Sequence, residues 1–596
     1  MIKTLRVCIP AILAVCAGWP NPAKTFEFEL NADSSGLEAS LVEASSVASL
    51  RNQEDVETID VLAAARSDYG RLLGVLYQQA RYGASISILV DGQEASEISL
   101  LQASKPVERV EISVIPRAAF TFSKAVIGPL ASGSQVSEDF APSRLAGTEV
   151  IRDTARTAIN DWRDIGHAKA VITTQSITAN HRQSQLNVDI KVDPGPRLRF
   201  GTLNVSEDGV VRPKRVREIA GLPVGEVFSP QELETASQRL RRSGVYRSVV
   251  LAEAEEINPD ETLDIDAELV AAKPRRIGFG GEIGTVEGLS LSGFWLHRNL
   301  RGGGERLRLD AEVSGIRETG EGIDYSLGAR FDRPATFTPD TALFVEGRLA
   351  RVDEPDYKED SARLGLGLSH IFSERLSGEA SVAYQFSDVT DDLGSRELSF
   401  LQLPVGLTYD TRDDTLNATS GVYVDVDLMP FYETRGATTG LRFYSDLRTY
   451  LTPGEQDRLT AALRLQIGSV TGGSLTDIAP DMLFFSGGAG TVRGQGYQSL
   501  GVDLGGGLTV GGRSFIGASA ELRTKVTDAW SLVAFYDAGF VGANDFGTGS
   551  GDWHFGAGLG VRYNTGIGPI RFDVAAPVGS GSGSNVEFYI GIGQAF

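Results

Sequence analysis

The sequence predicts three small α+β units followed by a 16-stranded transmembrane antiparallel β-barrel. Three observations carry this reading. The chain changes character near residue 274: before it helical patterns alternate with short strands, and after it glycine, aromatic residues and period-two alternation take over. The first half repeats, with a spacing of roughly 78 residues from Pro116 to Pro194 and again to Ala272, too long for a solenoid and suited to a string of small domains. Finally, no run of ~18 apolar residues exists, so the signal of a membrane-spanning helix is missing.

The chain opens MIKTLRVCIPAILAVCAGWPNPAK. Lys3 and Arg6 precede an apolar core from Val7 to Ala17 and then small residues, which predicts a signal peptide over residues 1–23 rather than a buried first helix. Both cysteines, Cys8 and Cys16, lie inside it, so the mature chain would have no disulfide, thiolate metal site or cysteine nucleophile. The net charge of -22 argues against a general nucleic-acid binder, which needs a basic footprint.

The repeats cover residues 25–118, 119–196 and 197–273. Each reads strand, helix, helix, strand, strand. A helix runs into glycine (Gly83, Gly166, Gly244) and a strand follows, as in LLGVLYQQARYGASISILV and ASQRLRRSGVYRSVVLAEA. Ser229 with Glu232 forms a capping-box pattern before the last helix.

Residues 274–596 allow roughly sixteen strands at ~20 residues per strand and turn. Apolar residues alternate with polar ones or glycine: Leu403, Val405, Leu407 and Tyr409 oppose Gly406, Thr408 and Asp410; Leu559, Val561 and Tyr563 oppose Gly560 and Arg562; Ile570, Phe572 and Val574 oppose Arg571 and Asp573. In the last strand Val586, Phe588, Ile590, Ile592 and Phe596 share the outer side. The pattern suits lipid outside and a wet lumen inside, where a soluble barrel would bury polar residues persistently; closure also removes sheet edges that a bilayer does not tolerate.

Chemistry-bearing patterns are few. His167, His181, His297, His370 and His554 fall in no metal-ligand spacing, and no nucleophile elbow or P-loop is present, so no catalytic residue, metal or cofactor is expected. Asp413 and Asp414 read as a turn or lumen wall. One stretch stands apart, the glycine-rich FFSGGAGTVRGQGYQSLG (Phe484 to Gly501) around the single cation Arg493. Alternation turns Glu521 and Asp537 inward, and either could take a bidentate arginine if the loop folds into the lumen; three separately solvated charges would fit the spacing equally well.

These residues resemble the BamA/TamA superfamily of outer-membrane assembly and transport barrels, with the TamA-like branch the nearer match. WLHRNLRGGGERL is similar to its first hairpin, LPVGLTYDTRDDTLNATSG to its mid-barrel segment, GGAGTVRGQGY to its V/I-R-G-F/Y loop, and FYDAG, GVRYNTGIGPIRFDVAAP and FYIGIGQAF to its late strands. The resemblance implies that the three units are periplasmic POTRA domains. It also implies a lumen loop lock of Arg493, Gly494 and Tyr497 with Asp537 and Glu521. Gln495 stands where the family has an aromatic residue, and Tyr497 comes two positions later, so which side chain plays the aromatic role stays open.

The expected function is an outer-membrane assembly or translocation factor. It would take client proteins, autotransporters among them, through the POTRA domains and insert or secrete them at a lateral seam. That seam lies between a first strand near Arg276 to Gly288 (with Gly280) and a last strand from Asn585 to Phe596 (with Phe588, Ile590, Gly591, Ile592, Gly593 and Phe596). Partners are the lipid bilayer, client chains and a TamB-like periplasm-spanning protein. The alternative is a two-partner-secretion-like pore that exports one dedicated substrate.

Overall fold

Alternation and glycine punctuation resolve into discrete elements in the computed structural model. It describes residues 26–596 apart from 33–34, 52, 54–55, 100–105, 207–208, 285–287, 317–321, 355–356, 392–393, 455–457, 506–508, 550, 567 and 580–585. The expected signal peptide, with Cys8 and Cys16, and Asn585 lie outside the described residues. The chain divides into two compact units, and most of residues 201–273 belongs with the barrel.

The first α+β segment runs β1 (Glu27–Ala32), α1 (Ser35–Ala44), α2 (Ser46–Leu50), α3 (Thr58–Gln78), β2 (Ser85–Val90), β3 (Gln93–Glu94) and β4 (Arg109–Ile115), with sheet order β1-β4-β2-β3. Leu41, Leu72 and Leu76 are buried against Ile88, Val110 and Ile112. Asp68 is fully buried and accepts from Ser45 Oγ at 2.6 Å and from the Ser46 and Val47 amides at 2.7 and 3.2 Å. It thereby satisfies donors at the start of α2 that no helical carbonyl reaches.

The second segment departs from the expected pattern. It has β5 (Thr121–Gly128), one helix, α4 (Thr148–Asp164), then β6 (Val171–Asn180) and β7 (Gln185–Asp193), in order β5-β7-β6. The expected first helix is absent. Residues 129–147 contain Pro129, Gly133 and Pro142, which interrupt helix formation. Phe140 from this stretch packs on Phe122. The third segment has both helices: β8 (Arg199–Asn204), α5 (Pro213–Ala220), α6 (Pro230–Arg242), β9 (Tyr246–Glu253) and β10 (Thr262–Ala271). Gly166 and Gly244 follow their helices at φ +105° and +68°, conformations that L side chains resist. Gly83 does not: α3 ends earlier, and Ala80 takes the positive φ, at +60°.

Sixteen antiparallel strands close the barrel, from Arg275–Gly284 to Glu587–Ile592. The eighth is interrupted between Gly394–Gln402 and Val405–Asp410, and both pieces pair with the strands on either side. Pro404 sits at the break, where a missing amide hydrogen removes a ladder bond. The first strand ends at Gly284, and Gly288 opens the second rather than closing the first. Leu403, Val405, Leu407, Tyr409, Leu559 and Tyr563 are exposed on the outside, whereas Arg562 and Asp573 are fully buried inside. Asp413 and Asp414 organise the turn after the eighth strand; Asp413 accepts from the Thr419 and Ser420 amides at 2.9 and 3.1 Å, and Asp414 from Leu416 at 2.6 Å.

The third α+β segment is tied to barrel turns. Arg215, 6% exposed, donates to the carbonyls of Gly303 at 3.2 Å and Pro334 at 2.5 Å. Arg239 holds Asp340 with Nη2 at 2.6 Å, and Arg242 holds the same carboxylate at 2.5 Å.

Candidate functional site

The glycine-rich stretch belongs to the connection between the eleventh strand (Leu459–Thr471) and the twelfth (Ser514–Lys525). By strand parity it enters from the end of the barrel opposite Arg275, where the first strand begins. Ser474 and Asp477 cap a short 3-10 turn that starts its inward path. Ile478, Met482, Leu483 and Phe484 then pack with Val389, Phe400, Phe431, Val470, Phe515 and Val541 of the inner wall. At this level loop and wall meet in an apolar cluster where alternation suggests a wet interior, because these inward wall positions carry large apolar side chains; Gln385 and Arg442 bond to Asp481 and the Met482 carbonyl beside it.

Below the cluster, Arg493 is 2% exposed. Its Nε and Nη2 donate to Asp537 Oδ2 and Oδ1 at 2.8 and 3.0 Å, a bidentate pair, and its Nη1 donates to Glu521 Oε1 at 2.6 Å. Asp573 Oδ2 lies 3.4 Å from Nη1. The guanidinium also lies 3.5 Å from the centre of the Phe535 ring. Arg523 pairs with Glu521 and Arg562 with Asp573. Arginines 493, 523 and 562 thus balance carboxylates 521, 537 and 573, which is what a cluster this deeply buried requires. Close approach explains two glycines. At Gly494, φ +88°, a Cβ would stand 2.7 to 2.8 Å from the Ala576 backbone, and at Gly556 it would stand 1.9 Å from the Arg493 carbonyl oxygen.

The structure brings Arg493, Glu521 and Asp537 together, and Gly494 donates its amide to Tyr589 Oη of the last strand at 3.1 Å. Tyr497 is not in this cluster; it is 38% exposed, and its hydroxyl accepts from Gln498 at 3.0 Å. Gln495 donates to the Phe555 carbonyl at 2.7 Å, so the ring over the arginine comes from the wall, as Phe535. Asp573, Arg562, Arg523, Phe535 and Tyr589 complete the arrangement. Asp573 and Arg562 stand on the inward face of strands whose alternation is plain in the sequence; which of many inward charges meet Arg493 depends on strand register, which one sequence does not give.

Among the described residues the seam closes with little backbone pairing: the first and last strands pair at Ile283 with Ile590 and at Gly284 with Tyr589. The last and penultimate strands pair from Ile570 with Ile592 to Ala575 with Glu587. Phe588, Ile590 and Ile592 face outward and Gly591 inward. Gly280 pairs with Ser292 of the second strand and is not opposite Gly591. Gly593 and Phe596 depart from the expected seam strand. Gly593 takes φ +95°, the strand ends at Ile592, and the chain turns into the lumen. There Phe596, 9% exposed, packs with Tyr450, Ala462 and Ala418, and its backbone oxygen accepts from Arg523 Nη2 at 3.1 Å.

A profile of the Omp85 superfamily domain matches residues 299–596. "Outer envelope protein 80, chloroplastic" of Arabidopsis thaliana is 25% identical over 337 residues; the match takes in 50% of this chain and 42% of that protein, so the chain spans less than half the relative's length. Among solved structures, BamA from Haemophilus ducreyi lacking POTRA domains 1-3 superposes with a TM-score of 0.63 at 16% identity, over 79% of this chain and 100% of that one. CdiB from Acinetobacter baumannii gives 0.50 at 14% identity, over 80% and 90% of the two chains.

Proposed function

This chain belongs to the Omp85 superfamily, and from that premise we propose that it inserts or secretes client proteins, autotransporters among them, at the outer membrane through its barrel seam. The observation that carries the reading is the seam itself. A closed barrel in lipid has to satisfy every backbone group, yet described pairing between its first and last strands is confined to Ile283–Ile590 and Gly284–Tyr589. A strand edge that is paired so briefly among the described residues can exchange its partner for an incoming strand at small cost.

In this reading the α+β segments 25–118, 119–196 and 197–273 are POTRA domains that receive extended clients by strand addition. β6 lies at the edge of its sheet and is exposed along nearly its whole length, which suits that mode. A TamB-like partner would dock on the first of them. The free energy comes from client folding and burial, or from that partner, because no nucleotide is available there.

The test is a disulfide across the seam. Ile283→Cys with Ile590→Cys, oxidised in the full-length protein, is expected to abolish client assembly and to release it on reduction. Undiminished assembly with the crosslink complete would overturn the seam reading. The alternative, a pore for one dedicated substrate, predicts substantial conductance and a neighbouring gene for a large secreted protein. The loop and apolar cluster inside the barrel count against a standing pore.

A further inference from the structure

The seam carries an ion pair that skips a strand. Arg571 stands on the penultimate strand opposite Gly591 of the last. Its Nη2 nevertheless reaches Glu282 of the first strand, so one side chain crosses the full width of the strand between. Continuing the pairing of Ile283 with Ile590 by one step puts Glu282 beside Gly591, and the three residues form a single row over the lumenal face.

Gly591 is what clears the path. A Cβ built there would lie 3.0 Å from Arg571 Nε, 3.4 Å from its Nη2 and 3.5 Å from Glu282 Oε1. The strand's glycine therefore has a positional reason beyond flexibility. The contact is also reversible in character. Arg571 is 8% exposed with its Nε unpartnered among the described residues, while the Glu282 side chain is 41% exposed. A guanidinium buried with an unsatisfied donor is held at a cost, and a pair open to water on one side is weakened by salt.

We propose that Arg571 and Glu282 are the latch of the seam, closing through the gap that Gly591 leaves. The inference rests on the seam reading above. With the backbone pairing so short among the described residues, the latch sets the balance between closed and open barrels, and a charged side chain on an entering strand competes for either partner. Arg571 and Glu282 are thus positioning residues: they hold the strand edges in register until the seam is engaged.

The experiment uses the full-length protein in lipid nanodiscs, spin-labelled at Ile283→Cys and Ile590→Cys, with the distance distribution as readout. Glu282→Gln is expected to raise the open-to-closed ratio by about three- to fivefold, the range of a partly exposed ion pair. Gly591→Ala should do the same. Raising salt to about 0.5 M should open the wild type and leave Glu282→Gln unmoved. The charge swap Glu282→Arg with Arg571→Glu should return the ratio toward wild type. Distributions that match wild type in Glu282→Gln, with no salt response in wild type, would overturn the latch. If Gly591→Ala fails to insert, Glu282→Gln and the salt response decide alone. A seam that shifts in the variants while the disulfide leaves assembly intact sinks the seam function and keeps the latch; the reverse outcome sinks the latch alone.

Discussion

Arg493 shows how a single side chain concentrates a loop's energetics. Truncating it to alanine leaves Glu521, Asp537 and Asp573 facing only Arg523 and Arg562, inside a region that water does not reach. Breaking a buried pair of this kind typically costs about 3–5 kcal/mol, because the remaining charge stays buried. Arg493→Ala is therefore expected to release the loop to protease cleavage near Gly487–Gly490 and to impair client assembly while the α+β segments stay folded. Arg493→Lys should rescue poorly, since lysine cannot span Asp537 with two donors while it reaches Glu521 with a third. Wild-type protease resistance in both variants would sink the prediction. Inward placement of Glu521, Asp537 and Asp573 was legible from period-two alternation alone. The ring of Phe535 over the guanidinium was not, because it depends on which inward position lies under the loop.

At the scale of elements, the joint between α6 and the barrel turn at Asp340 is held by charge. Arg239 and Arg242 are 16% and 37% exposed in their side chains, and both reach one carboxylate. Burial pushes the Asp340 carboxyl up, but the hydrogen bonds from Arg239 and Arg242 more than offset it and hold it below the usual range. A group depressed in the folded state stabilises above its unfolded value, ~3.9, and that stabilisation is lost as pH falls through the folded value. The joint should thus hold at neutral pH and loosen below about pH 4. Hydrogen exchange of α6 is expected to rise in that window in the wild type. Asp340→Asn should exchange faster at neutral pH, by roughly 1–2 kcal/mol for partly buried charged hydrogen bonds, and lose the acid dependence. An unchanged α6 would refute this. The helices themselves were readable from periodicity and glycine stops. The missing helix of the second segment was also foreshadowed by Pro129, Gly133 and Pro142, but a repeat-based reading carries the pattern of its neighbours over them. Arg215 and the Asp340 joint were invisible, since they bring together residues about a hundred positions apart.

Over the whole molecule, alternation and length were enough to reach a 16-stranded barrel, because lipid outside and a closed ladder leave few other solutions for that pattern. What fills the barrel was not legible, since inward positions read as small or polar on average and the apolar ones gather only when strands are aligned. Ile478, Met482, Leu483 and Phe484 cover Phe400, Phe431, Phe515, Val470 and Val541 inside the lumen. Replacing residues 475–511 by a short Gly-Ser linker removes both this cluster and the Arg493 pairs. Each large apolar side chain returned to water costs about 1.5–3 kcal/mol when fully exposed, so the barrel should lose thermal stability by several such steps. The same deletion clears the passage, and single-channel conductance in planar bilayers should rise from small to large and steady. Arg493→Ala alone, which frees the loop but leaves the apolar cluster, should give a lower mean conductance with frequent closures. Small conductance in the loop-deleted protein would show that something other than this loop seals the barrel. Equal conductance in the two variants would show that the arginine cluster, and not the apolar packing above it, is what keeps the passage closed.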